Sequence, residues 1–159
     1  MTENIIVNPS LTKEERYKQL LPQVKALIED ESDLIANMAN VCGALKFSME
    51  GFFWVGFYIV KGGELVLGPY QGPVACTRIQ IPNGVCGKAA EMGEAIIVPD
   101  VEKFPGHIAC SSLSKSEIVI PIIRNGKVLA VLDVDSDSLD MLDTTDEKYL
   151  AEICDLIKF

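Results

Sequence analysis

Apolar residues recur at helical spacing near both ends of the chain and at strand spacing between them. In "SLTKEERYKQLLPQVKALIED", Leu20, Val24, Leu27 and Ile28 share one helical face. Thr12 and Glu15 have the spacing of a capping box, which starts the helix there. Pro22 is expected to bend this helix or to begin it anew. A second helix is predicted after Ser32, with Leu34, Met38, Val41, Cys42 and Leu45 in one stripe.

The period then changes. "FFWVGFYIV" is aromatic and β-branched and reads as a strand; "KGG" turns the chain and "ELVLGPY" returns it. "ACTRIQIP" is predicted as a third strand. "NGVCGKAAEMGE" reads as a short helix entered through Gly84 and left near Gly93. "AIIVPD" is a short buried strand, and Val101 to Ser116 a long polar loop. "EIVIPIIRNGKVLAVLDVDS" is a hairpin pattern around Asn125-Gly126. A last helix is predicted from Thr144, with Glu147 completing a capping box and Leu150, Ile153, Cys154 and Ile157 facing the core. The order predicts an α+β fold: an antiparallel sheet with the N- and C-terminal helices on one face and a ligand pocket on the other. One domain over residues 1–159 is expected from the length.

Net charge is −9, and the Lys and Arg residues are scattered. That argues against a nucleic-acid partner and against an anionic membrane surface. The longest apolar run, Phe52 to Val60, is too short to span a bilayer. Met1 to Pro9 is short and not basic, so no leader is expected. Five cysteines, an odd count, read as cytoplasmic thiols rather than a disulfide scaffold.

Those thiols sort by context. Cys42 and Cys154 lie on apolar helical stripes and read as core residues. Cys76, Cys86 and Cys110 lie in irregular, glycine-flanked segments where backbone approaches a ligand closely. Cys86 sits near a helix start, where the dipole and free N–H groups favour a lowered thiol pKa. "FPGHIACSS" places Cys110 three residues after His107, the only histidine. Three readings compete there: a Cys3His zinc site with Cys76 and Cys86, a cysteine–histidine nucleophile pair, and a redox thiol. The cysteines are 10 and 24 residues apart, unlike the close pairs of zinc sites, and no oxyanion-type motif accompanies the pair. His107 is left as a loop-shaping, hydrogen-bonding residue.

The hairpin carries acids at alternating positions. A three-residue loop, Arg124-Asn125-Gly126, would pair residue 123 with 127 and set Glu117 opposite Asp133, with Asp135 two residues on. Ile118, Ile120, Ile122, Ala130, Leu132 and Val134 then share the other face. Like charges directly opposite are tolerated if a cation sits between them or one acid keeps its proton. The cluster therefore reads either as a solvated sheet end or as a pocket for an ammonium group with an acid available as proton donor.

In combination and order, "FFWVGFYIV", "GPYQGPVACTRI", "GVCGKAA", "VPDVEKFPGHIAC", "SEIVIPI" and "VLDVDS" resemble the free methionine-(R)-sulfoxide reductases, small stand-alone GAF-domain enzymes. The likeness runs from about residue 12 to the C-terminus. It implies a GAF-like fold and a thiol-dependent oxidoreductase that reduces free methionine-(R)-sulfoxide through sulfenic acid and disulfide intermediates, a reaction tied to oxidative stress. No cofactor or metal is implied. Thioredoxin is the implied reductant, and a homodimer through terminal helices is implied at family level. The family's functional cysteines match Cys76, Cys86 and Cys110; its substrate-contacting acids match Glu117, Asp133 and Asp135; its pocket tryptophan matches Trp54. Ser111 departs from the aspartate found after the cysteine in many members.

A sulfoxide sulfur is electrophilic only when its oxygen is protonated or strongly hydrogen-bonded, so such a site needs a thiolate and an acid. Cys110 is the expected nucleophile, with Cys86 or Cys76 resolving its sulfenic acid. The remaining carboxylates would hold the substrate ammonium. N–H groups near Gly84 to Gly87 would hold its carboxylate, and Trp54 would pack on the methyl-sulfur end. The rival reading is a non-catalytic GAF sensor for a small ligand.

Overall fold

A computed structural model describes residues 4–159. Helices α1 (Lys13–Ile28) and α2 (Leu34–Ser48) precede strands β1 (Trp54–Lys61), β2 (Glu64–Gln71) and β3 (Arg78–Gln80). Helix α3 (Gly84–Met92), β4 (Ile96–Val98), a 3-10 turn (Val101–Lys103), β5 (Ser116–Arg124), β6 (Lys127–Ser136) and α4 (Thr144–Leu156) follow. The strands form one antiparallel sheet in the order β3-β2-β1-β6-β5-β4.

Local signals start and stop the helices as their chemistry requires. Thr12 and Glu15 form the expected capping box. Helix α1 runs unbroken across Pro22 rather than restarting there. At α4 the capping box is Asp143 with Asp146, one residue earlier than the Thr144–Glu147 pattern. Aspartate is the stronger N-cap acceptor, and it takes both the Thr145 and Asp146 N–H groups. Helix α3 ends at Gly93, whose φ of 66° is the left-handed cap that glycine adopts without strain.

The expected third strand is cut to three residues. Leu67 N–H still donates to Thr77 carbonyl, but the next donor along β2 would be Pro69, which has no N–H. The ladder stops, and Ala75 and Cys76 leave the sheet edge.

Strand alternation divides the core. Helices α1, α2 and α4 cover one face, where Tyr17, Leu20, Val24, Met38 and Leu45 pack on Val55, Phe57, Ile118, Ile120, Ile122, Leu132 and Val134. Burying each such side chain stabilises the fold by ~1.5–3 kcal/mol. The other face carries α3 and the long loops. There Trp54, Tyr58, Val119 and Val131 pack with Val85, Cys86, Ala89 and Ala90. The helix-covered face is closed; the second face keeps a pocket.

Candidate functional site

The acids reach the pocket by strand period. In β6, Asp133 and Asp135 alternate with the core residues Leu132 and Val134. In β5, Glu117 precedes Ile118 in the same way. The pairing differs from the expected one. Glu117 lies opposite Asp135, and Val119 opposite Asp133. The turn has two residues, Asn125 and Gly126, both at positive φ (52° and 75°), as hairpin turns favour. A bulge then adds Leu129, because Ile123 pairs with Val128 while Ile122 pairs with Ala130. All three acids still share one face. Strand β1 completes it, with Trp54 opposite Asp135 and Gly56 opposite Asp133.

Gly56 is required by the aromatic wall. A side chain there would collide with the Trp54 indole and with Tyr70. Without one, the indole lies over the strand and stacks on Tyr70 at 5.3 Å between centroids. Trp54 also stacks with Tyr58. Both residues hold the segment before β3: Trp54 Nε1 donates to Pro73 carbonyl at 3.0 Å and Tyr58 hydroxyl to Cys76 carbonyl at 2.9 Å.

The acid cluster is buried and lacks a counter-charge. Glu117 is 5% exposed and Asp133 6%. Among the described residues, no Lys or Arg lines the pocket. Burial, then the charge of the neighbouring acids, pushes Glu117, Asp133 and Asp135 well above the carboxylate range. Ser114, at the end of the long loop, hydrogen-bonds Asp135 and partly offsets this. Asp133 Oδ1 is buried without a hydrogen-bond partner among the described residues. Such a cluster keeps at least one proton at neutral pH or accepts a cation from outside.

The cysteines separate into three environments. Cys76, just before β3, and Cys110, on the loop leading to β5, form a disulfide with Cα atoms 5.3 Å apart. Cys86 lies in the first turn of α3, and its Sγ is 3.9 Å from Glu117 Oε1. Its expected low pKa is reversed. Burial and then the adjacent acids push the thiol well up, and these outweigh a short helix's dipole. Cys42 and Cys154 lie in the helix-covered core as expected; burial pushes Cys42 up to about 12.

His107, left by the sequence as a loop-shaping residue, stands in the pocket. Its Nε2 lies 3.6 Å from Glu117 Oε2, and it lines the pocket. It therefore meets the acid cluster instead of pairing with Cys110. Partial burial lowers its pKa, favouring the neutral ring. The Cys3His set, which the spacing already disfavoured, is not available in this state, since Cys76 and Cys110 are bonded to each other. Tyr58 was also missed, although it lies on the same β1 face as Trp54 by simple alternation. Gly84 and Val85, at the start of α3, line the pocket, and Asn83 makes no side-chain cap there. The first N–H groups of this helix are thus left without a cap from that side chain.

One pocket therefore combines a disulfide, three acids of which Glu117 and Asp133 are buried, an aromatic wall and a helix N-terminus. No described helix is long and apolar enough to cross a membrane. The sequence profile of the GAF domain matches residues 29–159. The chain is 56% identical to GAF domain-containing protein A of Dictyostelium discoideum, over 99% of both chains. It is 41% identical to free methionine-R-sulfoxide reductase of Saccharomyces cerevisiae, over 98% of this chain and 91% of that one. An X-ray structure of free methionine-R-sulfoxide reductase from Neisseria meningitidis in complex with its substrate superposes with a TM-score of 0.92. That protein shares 46% identity, covering 97% of this chain and 93% of its own.

Proposed function

The chain belongs to the free methionine-R-sulfoxide reductase family, built on the GAF fold, and we propose that it reduces free methionine-(R)-sulfoxide with Cys110 as nucleophile and Cys76 as resolving thiol. The observation that carries this reading is the Cys76–Cys110 disulfide in the same pocket as Glu117, Asp133 and Asp135.

The substrate ammonium enters the acid cluster, which no Lys or Arg lines among the described residues. A peptide-bound residue carries an amide there and offers no such charge, which selects the free amino acid. The substrate carboxylate faces the N-terminus of α3 at Gly84 and Val85. Trp54 packs against the methyl-sulfur end. A carboxyl group that retains its proton donates it to the sulfoxide oxygen, making sulfur electrophilic.

Cys110 then attacks sulfur. The protonated oxygen passes from the substrate sulfur to Cys110 sulfur as the S–O bond and the transient S–S bond break. Methionine leaves with its sulfide lone pair restored, and Cys110 becomes the sulfenic acid. Cys76 thiol attacks that sulfur, releasing water and forming the disulfide. Two thiols have lost two electrons and the sulfoxide has gained them. Thioredoxin restores both thiols by exchange. Cys86 takes no step, because burial beside the acids holds it as a thiol.

The test is thioredoxin-dependent NADPH oxidation, with thioredoxin reductase present, on separated sulfoxide isomers. Consumption of the free (R) isomer and none by Cys110→Ser is expected. Silence on both isomers, with ligand-dependent thermal stabilisation, would instead support a ligand-sensing module.

A further inference from the structure

Cys86 is the pocket thiol that the proposed reaction leaves unused, and its surroundings are unusual for an inert cysteine. Its Sγ, one oxygen of Glu117 and one of Asp133 all lie within 4.8 Å of one another, and all three residues are buried. Asp133 Oδ1 has no hydrogen-bond partner among the described residues, although only 6% of the residue is exposed. His107 Nε2 stands 3.6 Å from Glu117 Oε2, whereas the thiol faces the other oxygen, Oε1.

We propose that this cluster is a site for a thiophilic divalent cation, Zn2+ being the type, held by Cys86, Glu117 and Asp133, and that its occupancy excludes the substrate ammonium. The second half rests on the function proposed above; the first does not.

The donor set selects the metal. A thiolate beside two carboxylates suits Zn2+, whereas Mg2+ takes an octahedron of oxygens. Zinc bonds of about 2.3 Å to sulfur and 2.0–2.2 Å to oxygen put the two donors ~3.5 Å apart at a tetrahedral angle. The Cys86 Sγ to Glu117 Oε1 separation is 3.9 Å, so closure needs a shift of tenths of an ångström. A water supplies the fourth ligand, since His107 Nε2 lies 3.6 Å from the other oxygen of Glu117 and outside the group of mutually close donors.

Charge and protons balance. The cation displaces the Cys86 proton and whatever proton the two carboxyl groups share, and its charge replaces them. The other titratable groups facing the site are Tyr58 from β1, Asp135 from β6 and His107 from the loop. None is a fixed cation that would repel the metal. Cys86 is outside the disulfide, so the site survives when Cys76 and Cys110 are oxidised. The same acids serve the ammonium and the metal, so the two ligands compete.

The experiment uses the full chain in its disulfide form, which keeps Cys76 and Cys110 from acting as ligands. Co2+ is titrated in as a spectroscopic stand-in for Zn2+. A thiolate-to-cobalt charge-transfer band rising to one equivalent is expected, removed by Zn2+ and unaffected by excess Mg2+. Cys86→Ser should abolish the band while circular dichroism shows the fold intact, and Asp133→Asn should weaken binding at least tenfold. A band that persists in Cys86→Ser would assign it to another thiol and overturn the site, as would equal binding of Mg2+ or no binding at all. Free methionine sulfoxide should displace the bound Co2+; no displacement would overturn the exclusion. Co2+ binding without sulfoxide turnover in the coupled assay would sink the proposed function and leave the metal site standing.

Discussion

Replacing Asp133 with asparagine removes one acid from a cluster that has no fixed counter-charge, and the consequence can be worked from the geometry. Glu117 and Asp133 bring carboxyl oxygens within 4.8 Å of each other. Two full charges at that distance repel by about 3 kcal/mol at an effective dielectric constant of ~20. That corresponds to about two powers of ten in a proton equilibrium, which raises the second acid to ionise. Burial adds to the effect and is its largest cause. The folded pKa values are therefore raised. Below the unfolded-state value of about 4 both states hold their protons and the contribution to stability is fully present. As pH rises, the unfolded chain releases protons that the fold retains, and stability is lost up to and through the raised folded values. Asparagine removes this loss, and its amide can donate to Glu117. The ligand-free variant should melt several degrees above the parent at about pH 8, with ~10 °C as a ceiling, and the difference should shrink towards roughly pH 4. Turnover should fall about 10–100-fold, the loss of one hydrogen bond to a charged group. Melting curves at the two pH values and kcat/KM for the free sulfoxide measure both. A Tm gain that is the same at both pH values, or a variant less stable at the higher pH, would refute the electrostatic reasoning.

Three further outcomes follow from the same geometry. Cys76→Ser should release one methionine per chain and then stop, with Cys110 trapped as sulfenic acid by a dimedone-type reagent; continued turnover with thioredoxin alone would place the resolving thiol elsewhere. Cys86 should resist iodoacetamide at neutral pH while reduced Cys110 reacts, because burial and adjacent acids hold Cys86 protonated; peptide mass spectrometry that finds Cys86 labelled first contradicts that ordering. Gly56→Ala should destabilise the fold by about 1–3 kcal/mol and raise KM, since its methyl group displaces the Trp54 indole from Tyr70; a variant with the parent's KM and tryptophan fluorescence would remove Trp54 from the substrate wall.

The faces of the hairpin were legible in the sequence, and its register was not. Alternation fixes which residues share a side, so Glu117, Asp133 and Asp135 fall together and Ile118, Ile120, Leu132 and Val134 fall opposite. A two-residue turn followed by a one-residue bulge has the same parity as a three-residue loop. The expected loop therefore gave the right faces with the pairing two residues off. The bulge at Leu129 is invisible locally because it serves the bend of the whole sheet. Cys86 illustrates a second limit. A helix start beside a cysteine is a local signal, whereas the burial and acids that reverse its pKa come from β5 and β6. His107 meets Glu117 only because the loop folds back over the pocket, and no spacing along the chain encodes that. Where the chemistry was local, as in the Thr12 capping box and the core stripes carrying Cys42 and Cys154, reading and structure agree.

The reaction itself is tested most directly without any recycling system. Fully reduced protein is mixed with excess free methionine-(R)-sulfoxide, methionine is quantified, and the protein's thiols are mapped by mass spectrometry. One methionine per chain, two thiols lost and a Cys76–Cys110 linkage are the predicted result. Methionine formed with all five thiols intact, or a disulfide through Cys42 or Cys154, would contradict it.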